Sequence, residues 1–254
     1  MTPKIFDSHA HYDSHQFDED RAELLQSMQE NNIGTVVNSA ADWDSLTEVV
    51  DLAGQYPFVY AAIGLHPDEV KILDEEKFLF LKEQAKKEKV VAIGEIGLDL
   101  YWTKEYKELQ IEMFEKQLQM ALEYNMPICI HSRDAIELTY QILSKNNYKG
   151  IIHCYSGSLE MANKFIKLGY LLGIGGVVTF KNSNLYKVVE EVGIKNIVLE
   201  TDSPYLAPDP YRGKQNTPLL IEETYKFIAE ILNISVEELA GLVIKNTKKL
   251  FSVG

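Results

Sequence analysis

Positive charge is scarce in this sequence: 25 lysines and arginines stand against 38 aspartates and glutamates, a formal net charge of −13. Wide, non-specific wrapping of nucleic acid needs a basic footprint, so that class of function is excluded. A phosphate substrate is not, because bound divalent ions and a few placed arginines invert the potential inside a cleft. Cysteine is scarcer still. Cys129 and Cys154 both sit in apolar, strand-like runs and read as small buried hydrophobes, not as a disulfide. Cys154 directly follows His153, but adjacent strand residues point to opposite faces, which argues against it as a metal ligand. No apolar run approaches the roughly eighteen residues of a membrane span, and the start lacks a signal-peptide core, so a cytoplasmic protein without a membrane segment is expected. There is no Pro/Ser-rich linker, low-complexity tract or internal repeat. One domain over residues 1–254 is the economical reading.

What remains is ordinary globular material, 46% hydrophobic and 25% charged. Strand and helix patterns alternate throughout. The strand signals begin at Ile5 and continue over 34–38, 59–63, 90–95, 127–131, 150–153, 170–174 and 196–200. Helical periodicity covers 18–31, 42–55, 75–87, 104–124, 133–145, 159–168, 184–192, 218–232 and 235–251. Eight βα units at this length fit a closed α/β barrel, a (β/α)8 TIM barrel. The open doubly wound alternative lacks its glycine-rich fingerprint after the first strand. Gly173-Ile174-Gly175-Gly176 at the exit of the seventh strand reads as a simple flexible turn.

In such a barrel the carboxyl ends of the strands meet at one mouth, where chemistry-bearing residues collect. His9 and His11 share a face at strand one, because residues two apart on an extended backbone point the same way. Glu95 closes strand four, His131 strand five, His153 strand six, and Asp202 follows strand eight. Singly, each has a plain alternative: a capping carboxylate, a core histidine, a turn aspartate before Pro204. Together at one end of one barrel they point to metal. Four imidazoles and two carboxylates exceed one tetrahedral ion and suit two divalent ions per chain, with Glu95 as the natural bridge. Mixed N and O donors fit zinc, manganese or magnesium, and four histidines pull away from magnesium.

The set His9-Ala10-His11, Gly94-Glu95-Ile96-Gly97-Leu98-Asp99, His131-Ser132-Arg133, His153-Cys154-Tyr155-Ser156-Gly157 and Glu200-Thr201-Asp202-Ser203-Pro204 resembles the TatD family of metal-dependent deoxyribonucleases, within the amidohydrolase superfamily. The resemblance covers essentially the whole chain. It implies a hydrolase that cleaves phosphodiester bonds, as a DNase and 3′-5′ exonuclease, and makes His9, His11, Glu95, His131, His153 and Asp202 the ligands. DNA is then the expected partner, single-stranded or at an end, with no obligate protein partner. The residues themselves fit DNA and RNA alike.

The mechanism expected is hydrolysis by a hydroxide held between two metals, with Glu95 bridging and Asp202 accepting the proton. Arg133, two residues beyond His131, is placed to fork onto phosphate oxygens, and Arg212 and Lys214 occupy a loop after strand eight. His66 is read as a partner for phosphate or for a ligand water. Tyr155 is read as facing the substrate. Tyr101 and Trp102 suit base stacking or packing equally, and Trp43 and His15 read as structural. Two other functions compete: a small-molecule amidohydrolase acting on a cyclic amide or lactone, and a non-catalytic metal-stabilised scaffold. Many amidohydrolases bridge their metals with a modified lysine, and strand four offers none. A purely structural zinc site is closed, whereas this mouth bears arginine.

Overall fold

The computed structural model describes residues 4–72 and 74–254. Strands and helices run in strict alternation: β1 Ile5–Ala10, α1 Arg21–Glu30, β2 Ile33–Ser39, α2 Leu46–Gln55, β3 Val59–Ile63, α3 Glu75–Gln84, β4 Val90–Asp99, α4 Lys107–Tyr124, β5 Ile128–Arg133, α5 Ile136–Leu143, β6 Gly150–Ile152, α6 Leu159–Lys167, β7 Leu171–Ile174, α7 Leu185–Val192, β8 Ile197–Leu199, α8 Ile221–Leu232 and α9 Val236–Phe251. The strands pair in sequence order, every neighbouring pair parallel, into a nearly closed TIM barrel. Among the described residues no helix is long and apolar enough to cross a membrane.

Between β1 and β8 the barrel is closed by individual bonds. The Ser8 hydroxyl donates to the Leu199 carbonyl at 3.0 Å, and Thr201 donates from both its amide and its hydroxyl to Asp7, at 2.9 and 2.7 Å. Above them the Asp202 amide donates to the His9 carbonyl and the His11 amide to the Ser203 carbonyl, at 3.0 and 2.7 Å. These bonds hold Asp202 directly against His9 at the end of β1 and His11 just past it.

Phe6, Val37, Ala62, Ala92, Cys129, Ile151 and Val198, one from each of seven strands, form a single buried cluster, the inner layer of the barrel. Two register shifts sit just above it, between Asp7 and Ala10 on β1 and between Ile93 and Ile96 on β4. Strict alternation from Phe6 and Ala92 would turn Ser8 and Gly94 inward. One extra residue in each strand re-aims the next side chain, so His9 and Glu95 face the interior.

Several boundaries differ from the sequence pattern. β4 continues past Glu95 to Asp99 because Leu98 and Asp99 pair with Ser132 and Arg133, which also takes Arg133 out of the expected helix and into β5. Gly97, at φ +147°, permits this pairing, since a side chain there would overlap the His131 carbonyl. Gly173 corrects the flexible-turn reading of its segment. A Cβ at this position would overlap the carboxylate of Glu200, so the glycine makes room for a buried acid.

Candidate metal centre

At the carboxyl end of the barrel, His11, His66, Glu95, Asp99, His131, Arg133, His153 and Asp202 line one cavity of about 750 Å³. His9 lies beneath them, fully buried. Its Nε2 is 3.2 Å from His11 Nε2, 3.4 Å from Glu95 Oε2 and 3.6 Å from Asp202 Oδ1. His11 Nε2 is 3.5 and 3.4 Å from the same two oxygens. Donors at the corners of a tetrahedron with metal bonds of about 2.1 Å are about 3.4 Å apart. The observed spacings therefore fit a cation, and are too wide for the histidines to be tied to these carboxylates by good hydrogen bonds.

The other oxygen of Glu95 faces a second group. Oε1 lies 2.7 Å from His131 Nδ1, 2.8 Å from His153 Nε2 and 3.8 Å from His66 Nε2. One carboxylate thus spans two sets of imidazoles, and candidate metal-holding groups are His9 with Glu95 and His153, His9 with His11 and Asp202, and His66 with Glu95 and His131.

The remaining ring nitrogens fix which atom each imidazole presents. His11 Nδ1 donates to the Ser39 carbonyl at 2.8 Å, and His9 Nδ1 lies 3.1 Å from both Ser39 Oγ and Cys129 Sγ. His131 Nε2 meets Asp99 Oδ2 at 3.2 Å. His153 Nδ1 is 3.6 Å from Glu200 Oε1, the oxygen that also accepts the Cys154 amide.

Protons balance the charges here. Burial would raise Glu95, but the charge of His153 and the short contacts of His131 and His153 outweigh it and hold the acid well below its usual range. Asp202 is likewise lowered against its burial, chiefly by His11 and His153. Burial opposes the cation at His11, yet Asp202 and Glu95 bring it up to about 9. Burial and His153 lower His9. His66 is pushed down to about 3 by burial and is neutral. Its Nδ1 accepts the Asp68 amide at 3.3 Å, which leaves the ring proton on Nε2, facing the cavity.

Other residues singled out by sequence fall as follows. Arg133 stands exposed at the cavity rim. Tyr155 corrects its reading: the ring is 2% exposed and the hydroxyl donates to the Ser158 carbonyl, so it braces the loop after β6 instead of facing substrate. Arg212 and Lys214 are not among the residues lining the cavity. The Arg212 guanidinium covers the Phe180 ring at 4.3 Å, and Lys214 lies 5.8 Å from the Tyr211 ring. Asp99, Glu200, Ser39 and Cys129 were given no role by sequence. Asp99 carried a signal, lying at even spacing from Glu95 on β4, and Glu200 stands two residues before Asp202 just past β8.

A family model described as TatD related DNase matches residues 6–252. The metal-dependent hydrolase YabD of Bacillus subtilis is 39% identical over 253 residues, covering 98% of this chain and 99% of that protein. The metal-dependent hydrolase YcfH of Escherichia coli is 33% identical over 260 residues, covering 98% and 96%. The crystal structure of the TatD homologue YjjV from Escherichia coli superposes with a TM-score of 0.92 at 30% identity, covering all of both chains. A hydrolase of the TatD family from Entamoeba histolytica, at 22% identity and TM-score 0.89, shares the fold. With its barrel, its donor cluster and its full-length relatives in agreement, the chain belongs to the TatD family of metal-dependent hydrolases.

Proposed function

We propose that this chain is a deoxyribonuclease that removes nucleotides from the 3′ end of single-stranded DNA, using two divalent cations. The observation that carries the reading is the division of Glu95, with Oε2 toward His9 and His11 and Oε1 toward His131 and His153. On this reading His9, His11, Asp202 and Glu95 hold one cation, and Glu95, His131 and His153 the other. When bound, the cations acidify water and offset phosphate charge.

The chain's own groups do the rest. Asp202, kept ionised, accepts the proton of the attacking water as its oxygen bonds to phosphorus. Arg133 forks onto non-bridging oxygens, and the Nε2 proton of neutral His66 is available to a phosphate oxygen. The bond from phosphorus to the 3′ oxygen breaks, the proton passes to that oxygen, and a 5′-mononucleotide leaves. The acidic surface limits long-range capture, so the enzyme releases the strand often. Both cysteines are free thiols, which fits a reducing compartment and supports reading the activity as cytoplasmic.

The test is a time course on 5′-labelled single-stranded DNA with protein stripped of metal and resupplied with magnesium, manganese or zinc. Stepwise shortening with visible intermediates, dependent on metal and lost in Asp202→Asn, is expected. Intact DNA in every metal, alongside turnover of lactones or cyclic amides, would overturn the reading.

A further inference from the structure

Four large apolar side chains remain exposed at the mouth of the cavity: Tyr101 (53%), Trp102 (69%), Tyr205 (49%) and Leu206 (40%). Trp102, Tyr205 and Leu206 line it directly, with Arg133. An aromatic ring that serves packing buries its faces. Trp102 stays largely in solvent and Tyr101 is half exposed, beside the one guanidinium among the described residues lining the cavity.

Their position is built into the sheet. β4 ends at Asp99, which pairs with Arg133 at the end of β5, so the segment after Asp99 runs alongside the arginine. The Tyr101 amide donates to Asp99 Oδ1 at 2.9 Å, while Asp99 Oδ2 holds His131. A single carboxylate therefore ties the backbone at Tyr101 to a candidate ligand of the metal centre. The Arg133 guanidinium sits 3.9 Å over the Tyr101 ring and 5.3 Å from that of Trp102, and the two rings meet edge-on at 4.9 Å. Stacking occupies the flat face of the guanidinium and leaves its N–H edges for an anion. Arg133 forms no salt bridge among the described residues.

Resting on the phosphodiester reading above, we propose that Trp102 and Tyr101, with Arg133, form a stacking subsite for an unpaired nucleobase adjoining the phosphate under attack. Such a subsite selects single strands. Every base has a π-face, so stacking tolerates any sequence, but in a duplex those faces are already covered. Tyr205 and Leu206, on the β8 side, give the same cavity a second apolar wall.

Trp102 is also its own reporter, because the chain has only two tryptophans. In a Trp43→Phe background, chosen because Trp43 packs against Phe80 rather than near the centre, metal-loaded protein is titrated with a phosphorothioate-linked oligothymidylate. An abasic strand of the same length and linkage serves as the comparison. Quenching by the base-bearing strand alone is expected. Read by the anisotropy of a fluorescein label on the strand, since these variants lack the reporter ring, Trp102→Ala should weaken binding of the base-bearing strand by roughly ten- to a hundredfold, leave the abasic strand unchanged, and be largely rescued by Trp102→Phe. Equal binding of both strands, indifferent to Trp102→Ala, would overturn the subsite and leave the phosphodiester reading standing. Binding of neither strand, with no hydrolysis of bis-p-nitrophenyl phosphate, would overturn both.

Discussion

Asp99→Asn changes one atom and cannot satisfy its surroundings in either orientation. In the parent, Oδ1 accepts the Tyr101 amide at 2.9 Å and Oδ2 faces His131 Nε2 at 3.2 Å, while His131 Nδ1 points at Glu95. An asparagine that keeps its oxygen on Tyr101 sets an NH2 donor against the Nε2 proton. Flipped, it sets that donor against the Tyr101 amide. Moving the imidazole proton to Nδ1 relieves the first conflict but removes the ligand atom. While Nδ1 stays free to ligate, one buried hydrogen bond is lost in either orientation, at a cost of about 1–3 kcal/mol, and orienting partners of this kind change metal affinity by roughly 10- to 100-fold. The loss should fall on the cation held by His131 and spare the one held by His9 and His11. Competition against a chromophoric chelator should resolve two affinities in the parent and weaken only one in the variant. Two unaltered affinities would refute the role given to Asp99, and equal weakening of both would refute the division of the site.

Metal binding should release protons, since an imidazole must be neutral to ligate. With His11 raised to about 9, it is protonated at pH 7.5 in the metal-free protein, so calorimetric enthalpies of zinc binding should vary with buffer ionisation enthalpy, and less so as pH passes 9. Gly173→Ala should push Glu200 off the Cys154 amide; overpacking costs about 1–3 kcal/mol, a fall in Tm of roughly 2–12 °C for a chain of this size. An unchanged Tm would mean that Glu200 has another place to go.

Alternation of patterns gave the barrel away, and the strand ends pointed to the candidate ligands, because both depend on short-range spacing. His9 and His11 needed only a two-residue period. What stayed hidden depends on register between strands. That Glu95 rather than Gly94 turns inward follows from a shift beside β5, and no local period encodes it. The extension of β4 to Asp99 depends on the same pairing, and with it the partner of His131. Glu200 was concealed by its glycine: the acid and Gly173 lie far apart in sequence and meet only because β7 and β8 are neighbours. Tyr155 misled because a tyrosine after a ligand histidine looks exposed by position, whereas the loop folds its hydroxyl back onto Ser158.

The charge of the cavity bears on the proposal that so acidic a chain acts on an anionic substrate. Asp68, Glu69, Glu95, Asp99 and Asp202 line it, against the single guanidinium of Arg133. Contacts with the carboxylates raise His11, His131 and His153 against their burial, so protons on these rings offset part of the negative charge. Under the two-cation proposal, divalent ions in place of protons would supply more positive charge than they remove and make the cavity attractive to phosphate. The field falls off within about 8 Å at physiological ionic strength. Capture is therefore confined to a strand that already reaches the mouth, and there the rings of Tyr101 and Trp102 offer a contact that salt does not screen.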